Sequence, residues 1–440
     1  MKLEIPETEK QIGIELYCTD SDGIKGILRQ EVQDFIVNEI SNIKELEEGK
    51  HLILNFTKRN WDLHHIIRNL SRKLGISQKR IGYAGTKDKR AITKQKISIY
   101  NIQKEVIDSI KIKDLDLEFR GYSNKQIQLG DLIGNEFKIT IRNIELDEQT
   151  LHSRIKCTAD KIKELGGVPC FFGIQRFGAF RPITHDIGKS IVKGNLKEAA
   201  IAYIAKSYIH EPLETRRVRD FVFKTHDYDY GLKEYPLHLR YERAMMHHLK
   251  TNVDDFIGAF TVLPKGIYKI FIHAYQSYIF NKILSKRIKE GLPLNSAIDG
   301  DIVCFKSDIG LPNVHKTQKV TLKNLAGINN LIKRKRAFVT APLIGYDTEF
   351  ASGRMGEIEM QVFKNENISC EYFKIPDMSD MSSKGMRREI LLSVNPKFKV
   401  ESDELNSNMF KTTLEFSLPK GSYATTVLRE YMKAEPIDMS

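Results

Sequence analysis

The hydropathy of this 440-residue chain changes its period twice, and that change limits the fold more than any other feature. Near the N-terminus, short runs alternate apolar and polar residues. In 136–141, EFKITI, the side chains of Phe137, Ile139 and Ile141 fall on one face of an extended strand. The same texture predicts strands at 24–28, 34–40, 51–57, 93–100, 115–122 and 135–142. Two helices interrupt them. Residues 62–74 carry an apolar stripe of Leu63, Ile66, Ile67 and Leu70 with Gly75 as the stop, and 148–165 ends at Gly166–Gly167. From about residue 181 to 377 the pattern turns mostly helical, with the stronger segments at 196–207, 240–250 and 267–290. Phe271, Tyr275, Tyr278, Ile279 and Ile283 line one face of the last, as core residues do. Strand texture returns at 389–394 and 410–418. A turn at Pro419-Lys420-Gly421 and a helix over 423–433 then close the chain. A β-rich start and end around a helical middle predicts one domain inserted in another.

Composition narrows the class. Apolar residues make up 41% and charged residues 29%, which suits a soluble, core-forming chain. No run reaches the ~20 apolar residues of a membrane span. The N-terminus, MKLEIPETEKQIG, is charged and lacks the apolar stretch of a secretion signal. Five cysteines at 18, 157, 170, 304 and 370 are odd in number, widely spaced and free of C-x-x-C, so a cytoplasmic location is expected and a disulfide framework is not. Sixty-nine basic against 57 acidic residues leave +12, which favours a polyanionic partner. Phosphate-loop, dinucleotide-turn and zinc-helix patterns are missing. His64–His65 and His247–His248 are adjacent pairs, and helical neighbours diverge by about 100°, so neither pair shares a face. Neither a metal nor a cofactor is expected.

Residues 79–96, KRIGYAGTKDKRAITKQK, hold seven cations and one acid, Asp88. Gly82 and Gly85 permit a tight turn with close backbone approach. The cations suit a phosphate backbone. A carboxylate does not, so Asp88 asks for another reason. Surrounding cations favour its ionised form, and an ionised, positioned carboxylate serves as nucleophile or general base. Capping of a turn, or pairing with Lys87 or Arg90, is the plain alternative.

At this point the residues resemble a family. GYAGTKDKRAITKQ at 82–95 is similar to the catalytic motif of the TruD family of tRNA pseudouridine synthases. GILRQEVQDFIVNE at 26–39, LGDLIGNEFKITIR at 129–142, VPCFFGIQRFG at 168–178 and FSLPKGSYATTVLRE at 416–430 resemble further family motifs in the same order. HAYQSYIFN at 273–281 and GMRRE at 385–389 agree more weakly. The resemblance spans nearly the whole chain.

It implies an α+β fold. A catalytic pseudouridine synthase domain, with a central mixed or antiparallel sheet flanked by helices, would comprise 1–180 and 381–440. An inserted α/β domain would fill 181–380. It implies isomerisation of uridine to pseudouridine in tRNA, at position 13 of the D arm in bacterial and archaeal-like members, with no cofactor and no protein partner. Asp88 falls on the catalytic aspartate, attacking C1′ or taking a proton from C2′. Arg29 matches the basic residue that pairs with that carboxylate. Phe137 matches the aromatic that stacks on the base, with strand core as its plain alternative. Asn135, on the same face, suits a uracil edge. Phe35, Lys87, Gln175 and Arg176 join the substrate-binding set, and salt-bridge or capping duty is the alternative for the last two. The chain departs from the family at Val32-Gln33, where Pro-Glu is common, and at Cys170, where Asn is common. Two rivals remain: a non-catalytic RNA-binding protein on the same fold, and an RNA methyltransferase.

Overall fold

A computed structural model describes residues 3–439. Fifteen strands are present among them: β1 Ile27–Leu28, β2 Phe35–Ile40, β3 His51–Arg59, β4 Ile81–Tyr83, β5 Ile92–Tyr100, β6 Leu115–Ser123, β7 Gly134–Ile144, β8 Val168–Pro169, β9 Ile302–Lys306, β10 Pro312–Lys319, β11 Ala337–Leu343, β12 Met386–Glu389, β13 Leu391–Leu392, β14 Lys397–Ser402 and β15 Phe410–Pro419. Nine form one sheet in the order β14-β15-β7-β2-β5-β3-β6, with β1 on β7 and β4 on β5. All its pairings are antiparallel except β2 with β5.

Strand alternation and helix stripes meet on one face of this sheet. Leu52, Leu54, Phe56, Ile97 and Ile99 pack with Leu63, Ile66, Ile67 and Leu70 of the Leu63–Lys73 helix. That helix starts on Asp62, whose carboxylate accepts the His65 N–H at 3.0 Å, and stops at Gly75 with φ +63°. Phe137, Ile139, Ile141, Leu414 and Phe416 pack with the Glu148–Leu165 and Ala424–Met432 helices. Cross-strand register puts both groups on the same side. The strip of that face between the two helical covers is where the site lies.

A second body is built around the Lys265–Lys289 helix, whose Phe271, Tyr275, Ile279 and Ile283 are buried as the stripe predicted. A Cβ on Gly188 would lie 2.0 Å from the Phe271 carbonyl, so the Thr184–Val192 helix crosses the long helix backbone to backbone. The expected helical texture is corrected in one respect. The middle also holds an antiparallel sheet, β10-β9-β11-β12. Its central strands, β9 and β11, are nearly continuous apolar runs, whose period does not separate strand from helix.

The strand expected at 389–394 divides. Met386–Glu389 pairs with β11 in the second sheet, and Leu391–Leu392 pairs with β8 beside the first. The chain thus crosses between the bodies at residue 390, and β12 lies beyond the expected boundary at 380. Strand β14 was missed, because KFKVES carries only two apolar residues on an exposed edge. At 24–28 only the last two residues pair, since Lys25 (φ +55°) and Gly26 (φ +88°) bend the backbone out of extension.

Candidate active site

The loop between β4 and β5 carries Asp88 back across the sheet face. Gly82 makes this possible: a Cβ there would meet the Ile127 carbonyl at 2.3 Å. Gly85 has no such neighbour, the nearest atom being Leu132 Cδ2 at 3.9 Å, so the close approach belongs to one of the two glycines. Two buried contacts hold the loop down. The Gln95 amide donates to the Gly85 carbonyl at 3.1 Å, and the Lys87 ammonium pairs with Glu39 at 3.0 Å, both side chains nearly inaccessible. Lys87 thus points into the protein, and its charge is already matched.

Asp88 itself stays half exposed. Oδ1 accepts from Arg29 Nη2 at 3.2 Å, and Oδ2 has no protein partner. Arg29 adopts a left-handed backbone (φ +57°), which aims its largely buried guanidinium at the loop. The guanidinium lies 4.1 Å over the Phe35 ring. Phe35 meets Phe137 edge-on at 6.3 Å, and Phe137 stacks on Phe416 at 5.5 Å. Asp88, Arg29, Phe35 and Phe137 therefore form one chain of contacts. Phe137 is 6% exposed, so it is a core residue as well as a neighbour of the site.

Register explains why these groups meet. Cross-strand partners share a face, and one row runs Lys58, Thr93, Val37, Phe137, Phe416 across five strands. In the next row Glu39 lies opposite Asn135, and Asn135 opposite Leu418. Both rows hold polar atoms where a closed core would have none. Thr93 Oγ1, Gln95 Oε1, Asn135 Oδ1 and Arg29 Nε are all buried and unpartnered. Leaving such atoms unsatisfied costs stability, which makes these four residues candidates for contact with a polar ligand.

Lys58 was not anticipated. Its Nζ donates to the Asp88 carbonyl at 2.5 Å from a fully buried position. Burial pushes the ammonium down to about 8, partly offset by the Asp88 charge. The signal was in the sequence: Leu52, Leu54, Phe56 and Lys58 occupy successive inward positions of one strand, and a lysine there demands a partner.

The expected basic field is mostly spent within the protein. Arg80 donates to the Tyr100 carbonyl at 3.0 Å, Lys96 pairs with Glu45 at 2.8 Å, and Lys94 lies 3.6 Å from Glu118. Gln175 and Arg176 form a separate group. Gln175 Oε1 accepts from Thr425 at 3.1 Å, and Arg176 Nε donates to Ser277 at 3.3 Å. Neither touches Asp88. Arg388, which joins them over Phe172, lay in the weaker GMRRE match and was not singled out. Cys170 is buried and accepts from Arg388 at 3.2 Å, and burial pushes its thiol up to about 11. No three His, Cys, Asp or Glu side chains among the described residues come together as metal ligands, and no described helix is long and apolar enough to cross a membrane.

A loop-borne carboxylate with one free oxygen, on a mixed sheet whose face carries an aromatic row and unpartnered polar atoms, is the candidate active site of an enzyme. The comparisons with known proteins specify which kind. The family model described as tRNA pseudouridine synthase D (TruD) matches residues 11–431, and the chain belongs to that family. A relative in Methanococcoides burtonii, named probable tRNA pseudouridine synthase D, is 60% identical over 99% of both chains. One of the same name in Archaeoglobus fulgidus is 37% identical over 97% of this chain and 99% of its own. The crystal structure of the TruD protein of Methanosarcina mazei superposes with a TM-score of 0.92 at 56% identity, covering 99% of this chain and 100% of that one.

Proposed function

We propose that the protein isomerises uridine to pseudouridine in tRNA, at position 13 of the D arm, with Asp88 as the reacting carboxylate. The observation that carries this is the half-exposed Asp88 oxygen without a partner, set among buried polar atoms that lack theirs. The N1–C1′ bond breaks, C5 bonds to C1′, and the C5 proton leaves to solvent as N1 gains one. Asp88 either attacks C1′ or removes the C2′ proton. Arg29 aims it through the hydrogen bond from Nη2 to Oδ1. A duplex base is out of reach, so the uridine turns out of its stack. Asn135 Oδ1 is an acceptor suited to the uracil N3–H, and Phe137 supplies the apolar wall. Phe35 orients Arg29, Lys87 anchors the loop, and Gln175 with Arg176 meets RNA beyond the base. The catalytic domain comprises the first and last parts of the chain, with the second body inserted as the other wall of the cleft. The protein works in the cytoplasm.

The test is incubation of an unmodified tRNA transcript with the enzyme and no added cofactor. Carbodiimide mapping should then find pseudouridine at position 13. A shifted signal would refute the site, and RNA binding without product would make the chain a non-catalytic RNA-binding protein.

A further inference from the structure

We propose that Arg176 and Arg388 form a phosphodiester-binding site for the RNA backbone, beside the base pocket. This rests on RNA being the substrate and not on the role of Asp88.

Both guanidiniums lie over one ring. They are 5.8 Å and 4.5 Å from the centroid of Phe172. That ring is a fixed platform. Phe280 packs edge-on against it at 5.4 Å, and the Phe172 N–H and carbonyl are both bonded to the Asn281 side chain at 2.9 Å.

Neither cation has a counterion. No carboxylate among the described residues lies within ion-pair distance of Arg176 or Arg388. The buried arginines, by contrast, are all matched: Arg142 with Asp34 and Asp403, Arg219 with Glu211 and Glu242, Arg287 with Asp301, Arg387 with Glu359, and Arg429 with Glu9. Glu389 neighbours Arg388 in the chain but is not within that distance. Both arginines are partly buried, and holding two like charges over one ring without an anion is unfavourable. Burial weakens the hold of Arg176 on its proton, with Tyr423 opposing and the charge of Arg388 adding a smaller push in the same direction as burial.

The donors are left free on one side. Arg176 spends Nε on Ser277, and Nη1 and Nη2 have no protein partner. Arg388 spends Nε and Nη2 on Cys170 Sγ and the Gly421 carbonyl, and Nη1 has none. Beside them Ser422 Oγ is buried and unpartnered. Two guanidiniums and a hydroxyl match the two non-bridging oxygens of a phosphodiester.

The place is right for the nucleotide next to the target. The turn after β15 touches the catalytic loop through one intermediate. Lys420 N–H donates to Ile133 at 2.9 Å, Lys420 Nζ to Gly130 at 2.8 Å, and Gly130 N–H to Ala84 at 2.8 Å.

The test is equilibrium binding of unmodified tRNA to the full chain carrying Asp88→Asn, over a range of salt. The double variant Arg176→Gln/Arg388→Gln, which empties the shared site, should reduce the slope of log affinity against log salt by about 0.7 to 0.9, one phosphate contact. Raising salt from roughly 50 to 200 mM would then weaken binding about threefold less than in the parent. Arg388→Lys, which keeps the charge but loses the fork, should retain the parent slope. A parent slope in the double Gln variant would overturn the site, whatever happens to affinity. A lowered slope in Arg388→Lys as well would also overturn it, because the residue would then be structural. Product formation by the wild type is scored separately, so failure of the isomerase reading leaves this test intact.

Discussion

Two arginine–aspartate pairs in this protein are built to opposite specifications. Arg287 and Asp301, in the second body, are wholly inaccessible. They make two parallel hydrogen bonds of 2.6 and 2.9 Å, and the guanidinium also donates twice to the Pro293 carbonyl. Arg29 and Asp88 share one bond of 3.2 Å, with Arg29 Nε unpartnered and half of the Asp88 side chain exposed. The first pair satisfies every atom and so fixes a fold. The second leaves Arg29 Nε without a partner and Asp88 Oδ2 open to solvent, as the proposed role of Asp88 requires. Satisfaction, more than the presence of an ion pair, separates the structural pair from the one proposed to be functional.

The sharpest way to break this comparison is to neutralise each aspartate. Asp301→Asn leaves Arg287 buried without a counter-charge and should cost about 3–5 kcal/mol, read by denaturant unfolding. Asp88→Asn should change stability by less than about 0.5 kcal/mol and still bind tRNA, yet make no pseudouridine. Comparable destabilisation by the two would end the distinction.

Phe137 tests the same contrast within one side chain, since it packs in the core and borders the site. Phe137→Ala should cost about 3–5 kcal/mol in unfolding. Phe137→Leu should keep the fold and tRNA affinity, with lower kcat. Full turnover in the Leu variant would leave Phe137 with a core role only.

Lys58 comes next. Lys58→Met keeps the apolar stem and removes the bond to the Asp88 carbonyl. Turnover should fall with tRNA affinity kept. The pH dependence has a definite sign. The folded-state value of about 8 lies below the ordinary 10.5. Between those values the unfolded chain binds the extra proton, so raising pH through that window should stabilise wild type relative to Lys58→Met. An equal pH dependence in both proteins would remove the buried charge from the account.

The smallest effect is expected at the sheet edge. Burial raises the Asp403 carboxyl, but the Asn143 N–H, Asn406, the Leu405 N–H and Arg142 outweigh it and hold it down at about 2. Its stabilisation is present above the ordinary 3.8 and is lost as pH falls toward 2. Asp403→Asn should therefore flatten acid unfolding in that window.

What the sequence revealed followed from periodicity and spacing. Alternation at 136–141 gave β7 and its inward face, the stripe at 63–70 gave the helix, and the lone acid among cations marked the loop. The helical middle misled because the central strands β9 and β11 have no polar alternation. Charge counting pointed to a polyanionic partner but overstated the free basic field around Asp88, for a different reason. It treats every cation as free, whereas Arg80, Lys87 and Lys96 are consumed by partners 20 to 51 residues away. Arg388 was passed over because its relation to Arg176, 212 positions away in the chain, exists only once both fold onto Phe172.

The most direct test of the central claim is tritium release from tRNA labelled at uridine C5, measured for wild type, Asp88→Asn and Arg29→Gln together without added cofactor. Release by wild type, none by Asp88→Asn and slowed release by Arg29→Gln is the predicted pattern. Equal release by wild type and Asp88→Asn would contradict the account and place the reacting carboxylate elsewhere.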